Sequence, residues 1–132
     1  WASINYGNHL LFQRLYEEML DMVDGTAEKI MGLCGEIEFS GEESKMANKY
    51  FNVNNKSMKG LLESSLKIEN DFQTLSKEIY NKLKEKDELT LGLDDLIMSQ
   101  ASDSETHIYL LQQALKEYAN EKLSSNNYTK RR

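Results

Sequence analysis

No proline occurs anywhere in the 132 residues, and that absence constrains the fold more than any other feature. Proline stops helices and marks turns and strand edges, and a chain of this length ordinarily holds several. Its absence favours long uninterrupted helices, and nothing in the chain resembles short strands joined by tight turns. Apolar residues at helical spacing agree. Leu11, Leu15, Met19, Met22, Ala27 and Ile30 recur every three to five residues, with Leu10, Phe12, Tyr16, Val23 and Met31 widening the stripe. That pattern predicts a helix over 8–33, with Asn8 as N-cap and Gly32 and Gly35 near its end. A second long helix is expected over 56–86, carried by Met58, Leu61, Leu62, Leu66, Phe72, Leu75, Ile79 and Leu83. A third is expected over 91–122, with Leu93, Leu96, Ile97, Ala101, Ile108, Leu111, Leu115 and Tyr118 facing inward.

Between the first two, SGEESKMANKYF can carry a short helix over 40–50, inside a long crossover. Helices of 26 to 32 residues would be about 40–48 Å long, and with one short turn and one crossover they pack as a bundle. WASINYG reads as the end of an earlier helix, so the expected architecture is an all-α four-helix bundle whose first helix is truncated here. Residues 1–123 form the expected domain, and SSNNYTKRR (124–132) a flexible basic tail.

Lys and Arg total 16 against 22 Asp and Glu, a net charge of −6. That balance excludes a body coated in nucleic acid and suits a surface that attracts cations. No run of about 18 apolar residues exists to span a membrane. The single cysteine, Cys34, and the lack of a signal-peptide pattern lead to the expectation of a reducing, cytoplasmic setting.

On the first helix Glu17, Asp21, Asp24 and Glu28 follow one another at steps of four, three and four. Like charges so spaced repel by a few tenths of a kcal/mol per pair. Arg14 and Lys29 can offset this in part and a bound cation fully; the simpler reading is a solvated acidic face. His9 lies fifteen residues before Asp24, about 22 Å along a straight helix. Ligand bonds of about 2 Å cannot bridge that span, so His9, Asp24 and Glu28 can share a metal only between two chains. Two copies of the helix running antiparallel about a two-fold axis would create the site twice.

The run W…G-x-H-x-x-x-x-x-L-Y-E…V-D-x-x-A-E-K-I, carried by Trp1, Gly7, His9, Tyr16, Asp24, Ala27 and Glu28, resembles the Dps proteins. These mini-ferritins are named as DNA-binding proteins from starved cells. GLDDLIMSQASDSETHIYLLQQAL and the short helix near 40–50 are similar to the family's last helix and connecting helix. The resemblance implies a ferritin-like bundle assembled as a dodecameric cage of two-fold dimers. It implies iron as the metal, oxidised from iron(II) with hydrogen peroxide at inter-subunit ferroxidase centres, stored as ferric mineral, and hence protection against oxidative stress. Carried over, His9 is an imidazole ligand from one subunit, and Asp24 and Glu28 are carboxylate ligands from its partner. Gln13 stands where many members carry an acid, and the interval from Trp1 to His9 is about three residues shorter than in the commonest form.

The alternative is a non-enzymatic helical bundle used for assembly or for binding DNA or a protein partner. Lys130, Arg131 and Arg132, repeated around a cage, would contribute salt-sensitive phosphate contacts. Glu105 and His107 sit two apart and so point to different helix faces, which makes His107 a structural residue. Cys34 has no adjoining base except Lys29 and reads as inert.

Overall fold

The computed structural model describes residues 6–38, 40–50 and 57–129, with side chains as far as Leu123. Among the described residues there are four helices and no strand. They are α1 (Tyr6–Cys34), α2 (Glu42–Tyr50), α3 (Met58–Glu85) and α4 (Leu91–Thr129). The all-α bundle of long helices with a short one in the crossover is therefore what forms. No helix among these residues is long and apolar enough to cross a membrane.

The helix ends follow from local chemistry. α1 begins two residues before the expected cap, so Asn8 lies inside it rather than at its start. It stops at Gly35, whose N–H still reaches the Met31 carbonyl at 2.9 Å and whose φ of 79° then turns the chain out of the helix. A Ser40/Glu43 capping box opens α2: the Glu43 carboxylate accepts from the N–H groups of Ser40 (3.1 Å) and Gly41 (2.8 Å). Ser57 caps α3, its Oγ accepting from the Gly60 N–H at 3.1 Å.

α3 ends in a left-handed turn at Asp87 (φ 57°), closed by the Glu88 N–H on the Leu83 carbonyl at 2.9 Å. Glycine normally occupies that position, because a Cβ there is strained by about 1–2 kcal/mol. Asp87→Gly is therefore expected to raise stability by up to about 1 kcal/mol in chemical denaturation, the greater freedom of glycine when unfolded taking back part of the gain. A loss of stability would show that the aspartate side chain itself holds the turn.

α4 packs along α3 and, over a shorter stretch, against α1. Leu62, Leu111 and Ala114 form the buried centre, with Leu11, Phe12, Leu15, Met58, Leu66 and Leu115 packed around it. Polar side chains tie the seams. Gln73 Nε2 donates to the Ala101 carbonyl at 2.6 Å between α3 and α4, and Gln100 Nε2 donates to Thr26 Oγ1 at 2.8 Å between α4 and α1. Tyr50 Oη donates to Asp71 Oδ2 at 2.6 Å and pins the end of α2 to α3.

The apolar stripe of α1 is only partly buried: Leu11, Leu15 and Met22 face the core, whereas Leu10, Tyr16, Val23, Ile30 and Met31 are exposed. α4 also runs past residue 122 to Thr129, through most of the segment expected to be a flexible tail. Once nucleated, a helix gains one backbone hydrogen bond per added residue, so a long helix carries a weak helix-forming end more readily than an isolated segment would form. Trp1, Lys130, Arg131 and Arg132 lie outside the described residues.

Candidate functional site

One unbroken helix of 29 residues carries His9, Asp24 and Glu28. With about 1.5 Å of rise per residue, His9 and Asp24 stay about 22 Å apart, and this subunit does not bring them together. Asp24 and Glu28 are both exposed, one turn apart on the same face, and Glu17 and Asp21 are exposed as well. His9 is half-buried at the other end, its ring 6.4 Å from that of Tyr6 in a stacked orientation. Among the described residues no three His, Cys, Asp or Glu side chains converge to hold a metal ion.

The acidic row is not relieved as the sequence suggested. Arg14 is committed to Glu18, its Nε 2.6 Å from Oε1. Lys29 reaches across to α4, where its Nζ lies 3.1 Å from the position a Cβ on Gly92 would take. Gln13 donates to Glu17 Oε1 at 2.8 Å on the outward face itself.

That face has a definite order. His9, Gln13, Tyr16, Leu20, Asp24 and Glu28 follow one another at steps of four, three, four, four and four, and form a ridge along the helix. In its middle Tyr16 and Leu20 are 58% and 52% exposed, with Val23 and Met31 exposed beside them. Imidazole at one end, carboxylates at the other and apolar side chains between make the ridge self-complementary when reversed.

The structure also gathers a polar cluster inside the bundle that the sequence reading did not assemble. His107 of α4 is 0% exposed and Glu69 of α3 is 5% exposed. His107 Nδ1 lies 3.0 Å from Glu69 Oε1, and Nε2 lies 2.5 Å from Oε2 of Glu18 on α1. Ser104 Oγ donates to Glu69 Oε2 at 2.7 Å. Three helices thus meet on one imidazole. Glu105 is exposed and His107 buried, so the two lie on different faces as their spacing predicts.

A signal for this cluster was present. Glu18 continues the row Leu11, Leu15, Met22; Glu69 lies midway between Leu62 and Ser76 at heptad spacing; His107 sits between Ser104 and Leu111. Each is a polar residue at a core position, and such residues need partners from other helices.

The hydrogen bond from His107, with the Arg14 pair behind it, holds the Glu18 carboxyl below its ordinary value of 4.5, against the opposing effect of desolvation. A carboxyl so lowered contributes stability that is present in full above 4.5 and is lost as the pH falls through its lowered value. The α1–α4 seam is therefore expected to loosen in acid, seen as faster amide exchange around Glu18. A Glu18→Gln protein should lack this acid-side step; an identical acid profile in the two proteins would contradict it.

Compared with known protein families, characterised proteins and solved structures, the chain matches none of them.

Proposed function

We propose that this chain is a subunit of a Dps-like iron-oxidising and iron-storing assembly. His9 of one subunit and Asp24 and Glu28 of another together receive iron(II) as substrate. The observation that carries the reading is the ridge on α1: its imidazole and its carboxylates are too far apart to meet within one subunit. They flank an exposed apolar stretch whose centre falls between Tyr16 and Leu20.

A second copy laid antiparallel across that centre sets His9 opposite the Asp24–Glu28 turn at both ends. It also covers Tyr16 and Leu20, which are costly to leave in water. Imidazole with carboxylates suits iron and leaves coordination positions for an oxidant. Each iron(II) gives up one electron; hydrogen peroxide accepts two and its O–O bond breaks. One peroxide thus serves two iron(II) ions; its two oxygens end as hydroxide or water, further water completes the oxide and hydroxide of the ferric product, and four protons are released per two irons.

The exposed apolar stretch equally supports a bundle that pairs through this face without chemistry. Mixing iron(II) with peroxide and following the ferric absorbance separates the two. Oxidation well above the protein-free rate, lost in Asp24→Ala and Glu28→Ala proteins whose assembly is unchanged, supports the iron reading. Oxidation at the protein-free rate in the unaltered protein leaves assembly alone.

A further inference from the structure

We propose that the Glu18–His107–Glu69 cluster is a proton-held clasp: it keeps one proton more than a neutral imidazole and two carboxylates carry, and losing that proton frees α1 from the other two helices. The inference stands apart from the iron reading and uses none of its residues.

The basis is a count of hydrogens. Both ring nitrogens of His107 face carboxylate oxygens, Nδ1 at 3.0 Å and Nε2 at 2.5 Å. A neutral imidazole carries one N–H, and an ionised carboxylate carries none. With a single hydrogen, one of these two contacts would press a ring lone pair against a carboxylate lone pair. The neighbouring donors do not solve this. Ser104 Oγ–H goes to Glu69 Oε2 and Arg14 Nε–H to Glu18 Oε1, so each serves the oxygen that does not face the ring. The missing hydrogen must be a titrating proton, held on the ring or on a carboxyl. Either placement gives the same total for the cluster.

The ring itself meets Glu18 of α1, which Arg14 pairs from behind, and Glu69 of α3; Asp21 of α1 and Asp103 of α4 stand beyond Glu18. Asp21 and Asp103 line, with Glu18, a cleft of about 220 Å³ between α1 and α4. The two carboxylates are not equivalent. Glu69 is enclosed and tied by Ser104, whereas the Glu18 side chain is 34% exposed at the cleft. When the proton leaves, Glu18 is the member with somewhere to go. It turns toward water, and the α1–α4 seam loses its central polar tie while α3 and α4 remain joined through Glu69, Ser104 and His107.

The test uses a substitution that supplies the missing hydrogen permanently. In Glu18→Gln the side-chain amide can donate to Nε2 while Nδ1–H donates to Glu69, so a neutral ring satisfies both contacts. Amide exchange of α1 around residues 14–22 is followed from pH 6 to 9, corrected for intrinsic base catalysis. In the unaltered protein the opening constant of this segment is expected to rise by up to about tenfold per pH unit across the transition, as one proton leaves. In Glu18→Gln it is expected to stay flat.

Ring ¹⁵N and carboxyl ¹³C shifts of the unaltered protein at pH 6 give a second readout that needs no variant. They should show two hydrogens shared among the three groups. A single hydrogen with both carboxylates ionised overturns the proposal. So does an exchange rise of equal slope in both proteins, or none in the unaltered one.

Discussion

Replacing His107 with alanine is expected to destabilise the fold by about 3–5 kcal/mol, the range for removing one partner of a buried charged pair. The substitution leaves Glu69 nearly enclosed with Ser104 as its remaining partner in the cluster, and opens a void where three helices meet. Both effects act in the same direction. Chemical denaturation of the two proteins measures the difference directly.

A paired replacement separates the two contributions. With His107→Leu and Glu69→Leu together, apolar side chains fill the space and the enclosed carboxylate is gone; Glu18 keeps Arg14 and its exposure at the cleft, and only the Ser104 hydroxyl loses its acceptor, so part of the loss should be recovered. A loss below about 1 kcal/mol for His107→Ala would mean that the imidazole is not the junction of α1, α3 and α4.

How much of this was legible beforehand differs from helix to helix. α3 was read to within about two residues because its apolar spacing is regular; the cap at Ser57 and the left-handed turn at Asp87 that set its ends emerge only from the structure. The stripe of α1 was read correctly as helical, but its burial was not legible. Periodicity reports that apolar residues share a face; it does not report whether anything covers that face, and Tyr16, Leu20 and Val23 are exposed. The end of α4 was missed because SSNNYT has weak helix preference, whereas a long helix already formed carries such residues forward.

The candidate ligands His9, Asp24 and Glu28 were found from spacing, which one helix fixes. The cluster of Glu18, Glu69 and His107 was not, because it joins three helices distant in the chain. Its members were visible only as polar residues at core positions. Local spacing puts Glu105 two residues from His107 on another face, whereas Glu69 and Glu18 are the neighbours of its ring.

Removing either carboxylate of the proposed iron site is expected to have the largest effect on activity. Asp24→Ala or Glu28→Ala should lower the rate of iron(II) oxidation by about a hundredfold or more, equivalent to about 2.7 kcal/mol of barrier. Stability should hardly change, since both side chains are exposed and sit in a repelling acidic row. Loss of a like-charge contact can even stabilise α1 slightly. Activity and stability would thus separate here, in contrast to His107→Ala.

The decisive measurement is complementation between two inactive proteins, one carrying His9→Ala and the other Asp24→Ala with Glu28→Ala. When they are unfolded together and reassembled, half of the two-fold dimers formed at random contain one of each. In such a dimer the intact His9 of one chain faces the intact carboxylates of the other, giving one complete site of two. The mixture should then recover about a quarter of the unaltered rate, while each protein reassembled alone stays inactive. A mixture as inactive as its parents, although mixed dimers are present by mass, would contradict a site shared between subunits.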